Sequence, residues 1–214
     1  MTLALRHYPP AADNVRDGID AVLAGAYDVP GLNFPQPPRI LDIGAHVGDF
    51  SVWARSRWPE AELDCYEPHP ESARYCRNNV AGLGAVVHEC AVVGASATRE
   101  YVLLHEGAEN TGQRSVYVLG EQRQQGLSVR AVAATELPPA DILKADTEGC
   151  EVEILRGYLH ILGLTCIMVE WHRPEDYITL RDWLPALGFA LVRDDAAGQR
   201  IGNRNMIFVR RMAT

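Results

Sequence analysis

Four polar residues close two apolar runs, in positions from which they could act together. Asp146 and Glu148 follow Ile142-Leu143-Lys144-Ala145, and Glu170 and His172 end the run Thr165-Cys166-Ile167-Met168-Val169. Residues two apart on a strand point to the same face. Lys144 and Asp146 therefore share one side, as do Glu170 and His172. If the two strands are neighbours, Asp146, Glu148, Glu170 and His172 converge at one rim. Such a rim could take the proton from an attacking hydroxyl, with His172 the base best suited to neutral pH. It could instead hold a divalent cation such as Mg2+ through Asp146, Glu170 and His172, the metal acidifying and orienting the hydroxyl. A purely structural role also fits: Asp146 capping the helix that starts near Cys150, with Glu148 favoured by the dipole of that helix. Lys144 is expected as a strand-end ion pair for one of these acids, not as a nucleophile.

A second constellation lies upstream. Ile40-Leu41-Asp42-Ile43 reads as a strand buried on both faces, and Gly44-Ala45-His46-Val47-Gly48 as the turn that carries it into a helix. A dinucleotide fingerprint requires G-x-G-x-x-G; here the glycines are four apart, so the strand-turn-helix logic is kept and the fingerprint is not. Glycine lets backbone approach a ligand closely, and a helix start offers amide donors. Glu67 ends the next strand, where an acid reaches the two hydroxyls of a ribose straddling the turn; the plainer reading is a surface carboxylate before a proline turn. The base of such a nucleoside would lie near His88 to Ala91, which brings in Glu89 and Cys90. The expected cofactor-binding set is Asp42, Gly44, Ala45, His46, Gly48, Glu67, Glu89, Cys90 and Asp146, and the expected catalytic set is His172, Asp146 and Glu170.

These residues need a scaffold. Val15 to Tyr27 has helical spacing and leads through Pro35, Pro37 and Pro38 into the first strand. Phe50 to Trp58 is expected as a helix stopped by Pro59, with Trp53, Trp58 and the later Trp183 as core residues. Ala61 to Glu67 and Ala85 to Val93 are strands, and Pro70 to Val80 is a helix between them. Arg99 to Leu104, Ser115 to Leu119 and Ser128 to Ala133 break the rhythm and suggest a small antiparallel insertion. The polar link from Glu106 to Arg114 is a plausible substrate loop. Ala140 to Asp146, the helix Cys150 to Leu162, the strand Thr165 to Trp171 and the helix Pro174 to Leu187 then restore the alternation. Phe189 to Val192 and Met206 to Val209 are joined too closely for a helix, so they must be antiparallel. The pattern is α/β with a mostly parallel sheet and helices on both faces.

The chain has 214 residues, 47% hydrophobic and 22% charged, enough for one well-filled domain and short for two. The expected divisions are a helical lead-in (1–38), a cofactor-binding half (39–93), inserted strands (98–135) and the second half of the sheet (140–214). A net charge of −8 disfavours a nucleic-acid partner. No apolar run reaches membrane-spanning length, and Met1 to Pro10 lacks the apolar core of a leader. Five cysteines without C-x-x-C spacing point to reduced thiols and a cytoplasmic protein.

The chain also resembles a known family. Asp42-Ile43-Gly44-Ala45-His46-Val47-Gly48, Glu67-Pro68, Asp141 to Glu151 with its Lys-x-Asp-x-Glu-Gly-x-Glu signature, and Leu155-Arg156-Gly157 look like the FkbM-type S-adenosylmethionine-dependent methyltransferases. Gly25-Ala26-Tyr27 and Glu170-Trp171-His172 fit the same pattern, while His46 stands where relatives more often carry Asn. The resemblance implies a Rossmann-like class I methyltransferase sheet whose last strand is antiparallel. It implies that Asp42, Gly44 and Gly48 line S-adenosylmethionine and that Glu67 binds its ribose. It further implies methyl transfer, typically to a hydroxyl oxygen of a sugar, polyketide or other small metabolite. An N-methyltransferase acting on a peptide or amine, a nicotinamide oxidoreductase and a non-catalytic cofactor-binding module are the competing readings. The oligomeric state, monomer or homodimer, is open at this level.

Overall fold

The computed structural model describes residues 5, 13–94, 101–106, 114–115, 126–196 and 204–211. In chain order these form α1 (Asp13–Leu23), β1 (Arg39–Ile43), α2 (Asp49–Arg57), β2 (Glu62–Tyr66), α3 (Pro70–Asn79), β3 (Ala85–His88), β4 (Ala91–Val93), β5 (Tyr101–Glu106), β6 (Arg114–Ser115) and β7 (Gly126–Ala133). β8 (Ile142–Ala145), α4 (Glu151–Gly157), β9 (Cys166–Glu170), α5 (Pro174–Ala186), β10 (Phe189–Asp194) and β11 (Asn205–Arg210) complete the series.

The main sheet has seven strands in the order β10-β11-β9-β8-β1-β2-β3. β1 pairs in parallel with β2 on one edge and β8 on the other, and β8 pairs in parallel with β9. The strand order therefore reverses between β1 and β8, which is where an open α/β sheet leaves its crevice. β11 enters antiparallel between β9 and β10, as the short connection requires.

Alternation along the strands sorts the core into two layers. Leu41, Ile43, Leu143, Ile167 and Val169 pack with Ile154, Leu155, Tyr158, Leu180 and Leu184 of α4, α5 and the residue after α4. Ile40, Leu63, Ile142 and Met168 pack on the other face with Tyr27, Phe50, Trp53 and Trp58. Each such aliphatic side chain contributes about 1.5–3 kcal/mol by leaving water. Trp53 and Trp58 are buried, with ring centroids 5.7 Å apart, and Trp183 packs partly buried against the first layer. α1 lies against α2. Its Ile19 packs on Val47, so the opening helix covers part of the glycine turn from outside.

Three expectations need correction. Ala85 to Val93 is two strands, not one: β2 ends at Tyr66 opposite His88, and beyond that pair β3 has no partner to continue along. The Cys90 amide turns back to the His88 carbonyl oxygen at 3.0 Å, and Ala91–Val93 leaves for a second sheet. That sheet, β4-β7-β5-β6, is antiparallel between β5 and its neighbours but parallel between β4 and β7, so the insertion is mixed. The helix expected to reach Leu162 ends at Gly157, after which Tyr158 is extended and its hydroxyl donates to the Pro138 carbonyl oxygen at 2.9 Å. Residues 107–113 of the expected substrate loop and 116–119 of the expected middle strand lie outside the described residues.

Candidate active site

The turn after β1 is built at the limit of backbone freedom. Gly44 has φ 77° and Gly48 φ 87°, and His46 adopts φ 48° without being glycine. A Cβ on Gly44 would stand 1.8 Å from the Asp146 carbonyl oxygen, so the turn presses against the end of β8. A Cβ on Gly48 would come within 3.1 Å of Cys76 Sγ and 3.2 Å of Val80 Cγ1 on the α3 side. Ala45 is buried in the same small cluster as Cys65 and Cys76.

Four amides of this turn are bonded within the protein. Gly44 and Ala45 both donate to the Tyr66 carbonyl oxygen, at 2.9 and 3.0 Å, and Gly48 donates to that of Ala45 at 2.7 Å. The His46 amide donates to Glu67 Oε2 at 2.8 Å. A pyrophosphate site needs such donors turned toward the ligand. Here they are turned inward, and the acidic groups around the crevice would repel an anion.

Beneath the turn lies a buried charge pair. Asp42 is fully enclosed; its Oδ2 accepts from the Ser51 hydroxyl at 2.7 Å, and its Oδ1 lies 3.3 Å from Lys144 Nζ. Lys144, only 4% exposed, also donates to the Gly44 carbonyl oxygen at 2.6 Å and lies 3.6 Å from Asp146 Oδ2. Burial works against its charge, but Asp42 and Asp146 outweigh burial and hold the ammonium well above the ordinary lysine range. Lys144 is thus the ion pair expected of it. Asp42 sits below the turn that it braces, with its carboxylate committed to Ser51 and Lys144.

Glu67 ends β2 beside the turn. Its two oxygens accept the amides of His46 and His69, each at 2.8 Å, which fixes the carboxylate at the crevice edge. Glu89 and Cys90 occupy the break between β3 and β4. The Glu89 carboxylate pairs with Arg77 of α3, while Cys90 packs against the main core, where burial pushes its thiol up. Nearby, Tyr66 and His88 stack with centroids 4.5 Å apart, and His88 Nε2 meets Asp64 Oδ1 at 2.9 Å.

On the far side of the crevice, adjacency of β8 and β9 brings the expected rim together. His172 Nε2 lies 3.8 Å from Asp146 Oδ1 and 3.4 Å from Glu148 Oε2. Its Nδ1 is 2.9 Å from Glu151 Oε1, which also accepts from the Thr147 amide (2.9 Å), the Thr147 hydroxyl (3.2 Å) and the Gly149 amide (3.1 Å). Burial opposes the imidazolium, yet the Glu151 bond and the surrounding acids lift His172 to about 9. Burial raises Glu170 to about 8, with the Asp146 charge adding to it, and burial raises Glu148 to about 7. Among the described residues, the Glu170 carboxylate makes no hydrogen bond or ion pair.

Sequence spacing did not single out Glu151 or Asp49. Glu151 is the last residue of the Lys-x-Asp-x-Glu-Gly-x-Glu signature, and that place was its only signal. It is fully buried and gathers the whole 147–151 turn around one carboxylate. Asp49 opens α2, and burial pushes its carboxyl up to about 6. Tyr27 approaches from the segment after α1, 2% exposed, with its ring centroid 5.1 Å from that of Phe50. Burial raises its hydroxyl, which also feels the charges of Lys144, Asp146, Glu170 and Asp49.

Residues 42–191 match the model of the methyltransferase FkbM domain. The chain is 26% identical over 211 residues to methyltransferase sdnD of Sordaria araneosa, covering 79% of this chain and 80% of that protein. It is 24% identical over 194 residues to methyltransferase 1 of Beauveria bassiana, covering 77% and 76%. Among solved structures, the FkbM methyltransferase of Methylobacillus flagellatus superposes with a TM-score of 0.60 at 14% identity. That match covers 93% of this chain and 55% of the other, so this chain spans little more than half of its length. The matched segment runs from the buried aspartate under the glycine turn, through the acidic rim, into β10, and by it this chain belongs to the FkbM methyltransferase family.

Proposed function

We propose that this chain transfers the methyl group of S-adenosylmethionine to a hydroxyl oxygen on a small-molecule acceptor. The observation that carries the reading is the crevice between β1 and β8. There a tightly packed glycine turn has four amides bonded within the protein, with the Glu67 carboxylate beside it and the Asp146, Glu148 and His172 cluster at the end of β8. Such a site suits a cation and hydroxyl groups better than a phosphate. When bound, S-adenosylmethionine supplies a sulfonium-activated methyl group.

The protein residues divide the remaining work. Gly44, Ala45, His46 and Gly48 form the wall on which the cofactor rests, and Asp42 holds that wall through Lys144. Glu67 receives the ribose hydroxyls, with Glu89 and Cys90 on the adenine side. Asp146 borders both the cofactor and the acceptor. Glu170, the rim carboxylate not engaged by another side chain among the described residues, takes the proton from the acceptor hydroxyl when ionised, and with its pKa raised to about 8 that form grows as pH rises above neutral. His172, clamped by Glu151, sets its positive charge against Asp146 and Glu148. Much of the acceleration comes from holding the two reactants in near-attack geometry. The acidic net charge favours a small-molecule acceptor over a nucleic acid, and five cysteines without C-x-x-C spacing suit a reducing compartment such as the cytoplasm. No helix among the described residues is long and apolar enough to cross a membrane.

Calorimetric titration with S-adenosylhomocysteine tests the cofactor half. Micromolar binding, weakened about ten-fold or more by Glu67→Gln, is expected, since a charge-assisted hydrogen bond contributes about 1.5–3 kcal/mol. Absence of binding overturns the reading. Product analysis of the methylated atom after incubation with hydroxylated and amine acceptors tests the other half; methylation at nitrogen alone overturns the oxygen assignment.

A further inference from the structure

We propose that Asp146, Glu148 and His172 form a divalent-cation site of the Mn2+ type at the acceptor side of the crevice. The inference rests on the methyltransferase reading for its purpose and not for its geometry. One ligand atom from each of the three residues can be chosen so that all lie within 4.8 Å of one another. The two distances from His172 Nε2, 3.8 Å and 3.4 Å, are close to the separation of about 3.0–3.4 Å that two ligands keep around an ion bound at about 2.1 Å.

A second observation is independent of the carboxylates. The His172 side chain is 9% exposed, and its Nε2 makes no hydrogen bond among the described residues, although it faces into the cluster. The opposite ring nitrogen is bonded to Glu151, a carboxylate with no exposure at all that is itself held by the Thr147 and Gly149 amides. A buried carboxylate on one imidazole nitrogen fixes the ring and aims the other at the cluster, where a bound ion would take the place of the Nε2 proton; metal-bound histidines are oriented in this way.

The ligand set differs from the one that strand spacing suggests. Glu170 is not part of the triad; Glu148 takes its place, because Glu148 adopts φ 57° in the turn after β8 and its carboxylate comes back toward His172. Two carboxylates and one imidazole nitrogen also favour Mn2+ or a similar ion over Mg2+, which prefers oxygen ligands and retained water. The ion would keep open positions for the acceptor oxygen and lower the pKa of its hydroxyl, and Glu170 would receive the released proton.

Titration of the metal-stripped full chain with MnCl2, followed by the electron paramagnetic resonance signal of free Mn2+, tests this without cofactor or acceptor. One ion per chain with micromolar affinity is expected, with Mg2+ binding at least about ten-fold more weakly. Glu148→Gln and Asp146→Asn should each weaken Mn2+ about ten-fold or more while circular dichroism stays native. Glu151→Gln should weaken it about ten-fold through the ring it orients. Glu170→Gln should change it by less than about three-fold, as a charge outside the coordination sphere does. Absence of saturable Mn2+ binding, or binding indifferent to Glu148→Gln, overturns the site. Homocysteine-cofactor binding measured in parallel separates the two readings: a chain that binds S-adenosylhomocysteine and not Mn2+ keeps its methyltransferase assignment and loses the metal.

Discussion

Lys144 Nζ donates to the Gly44 carbonyl oxygen at 2.6 Å, and this bond ties the end of β8 to the turn after β1. The same ammonium lies 3.3 Å from the fully buried Asp42, so charge, turn and sheet are joined beneath the crevice. Lys144→Met leaves the Asp42 carboxylate enclosed without its cation. A loss of about 3–5 kcal/mol is expected in urea unfolding. The double variant Asp42→Asn/Lys144→Met should recover part of that loss, because both charges then leave together.

Gly44→Ala tests the close approach of the turn to β8. The added methyl meets the backbone oxygen of Asp146 at 1.8 Å and must also accept φ 77°. A destabilisation of about 3 kcal/mol or more is expected, along with at least about a ten-fold loss of S-adenosylhomocysteine affinity. Gly82→Ala is the control, since it has φ 77° as well but nothing within 4 Å of the added methyl, so it isolates the backbone cost from the collision.

Asp49 gives a pH dependence with a definite sign. Burial raises its folded pKa from 3.8 to about 6, so the folded state favours the protonated carboxyl. The favourable contribution is complete below about pH 4 and disappears as pH rises through 6. Asp49→Asn removes the cost of the buried charge and should raise Tm by about 2–6 °C at pH 7.5. The gap between variant and parent should close as pH falls to 4; an equal gap at both pH values contradicts the assignment.

Glu151→Gln probes the carboxylate that gathers the 147–151 turn. Glu151 accepts from two amides, one hydroxyl and the His172 ring, all from a fully buried position, and these bonds hold its own pKa low against the opposing effect of burial. All four donors meet Oε1 and Oε2 has no partner, so the amide keeps one oxygen among the donors but loses the charge that strengthens their bonds and buries an NH2 without an acceptor. A cost of about 2–3 kcal/mol is expected in equilibrium unfolding.

Much of the scaffold is legible locally. Ile40 to Ile43 reads as a strand buried on both faces, and it is; Trp53 and Trp58 read as core, and they are. The antiparallel arrival of β11 follows from a connection too short for a helix. The break at Glu89-Cys90 was not legible, because Ala85 to Val93 is uniformly strand-like in composition. What ends β3 is the last residue of β2, a neighbour remote in sequence. Glu148 and Glu170 could not be ranked for the same kind of reason. Spacing of two places residues on one face of a strand, but it does not say that the chain leaves β8 through a left-handed turn.

The sequence by itself determined the alternation of strands and helices, the placing of acids at strand ends and the glycines that allow the turn, since these rest on propensity and short-range sterics. It also carried the resemblance to the family that the match over residues 42–191 shows. Only the tertiary structure decided which acids meet. Register between β1, β8 and β9 places Asp42 against Lys144 and brings Asp146 to His172, and burial then turns these neighbours into a charged cluster with shifted pKa values. Those outcomes depend on distances and dielectric environment across the sheet, which no local spacing encodes.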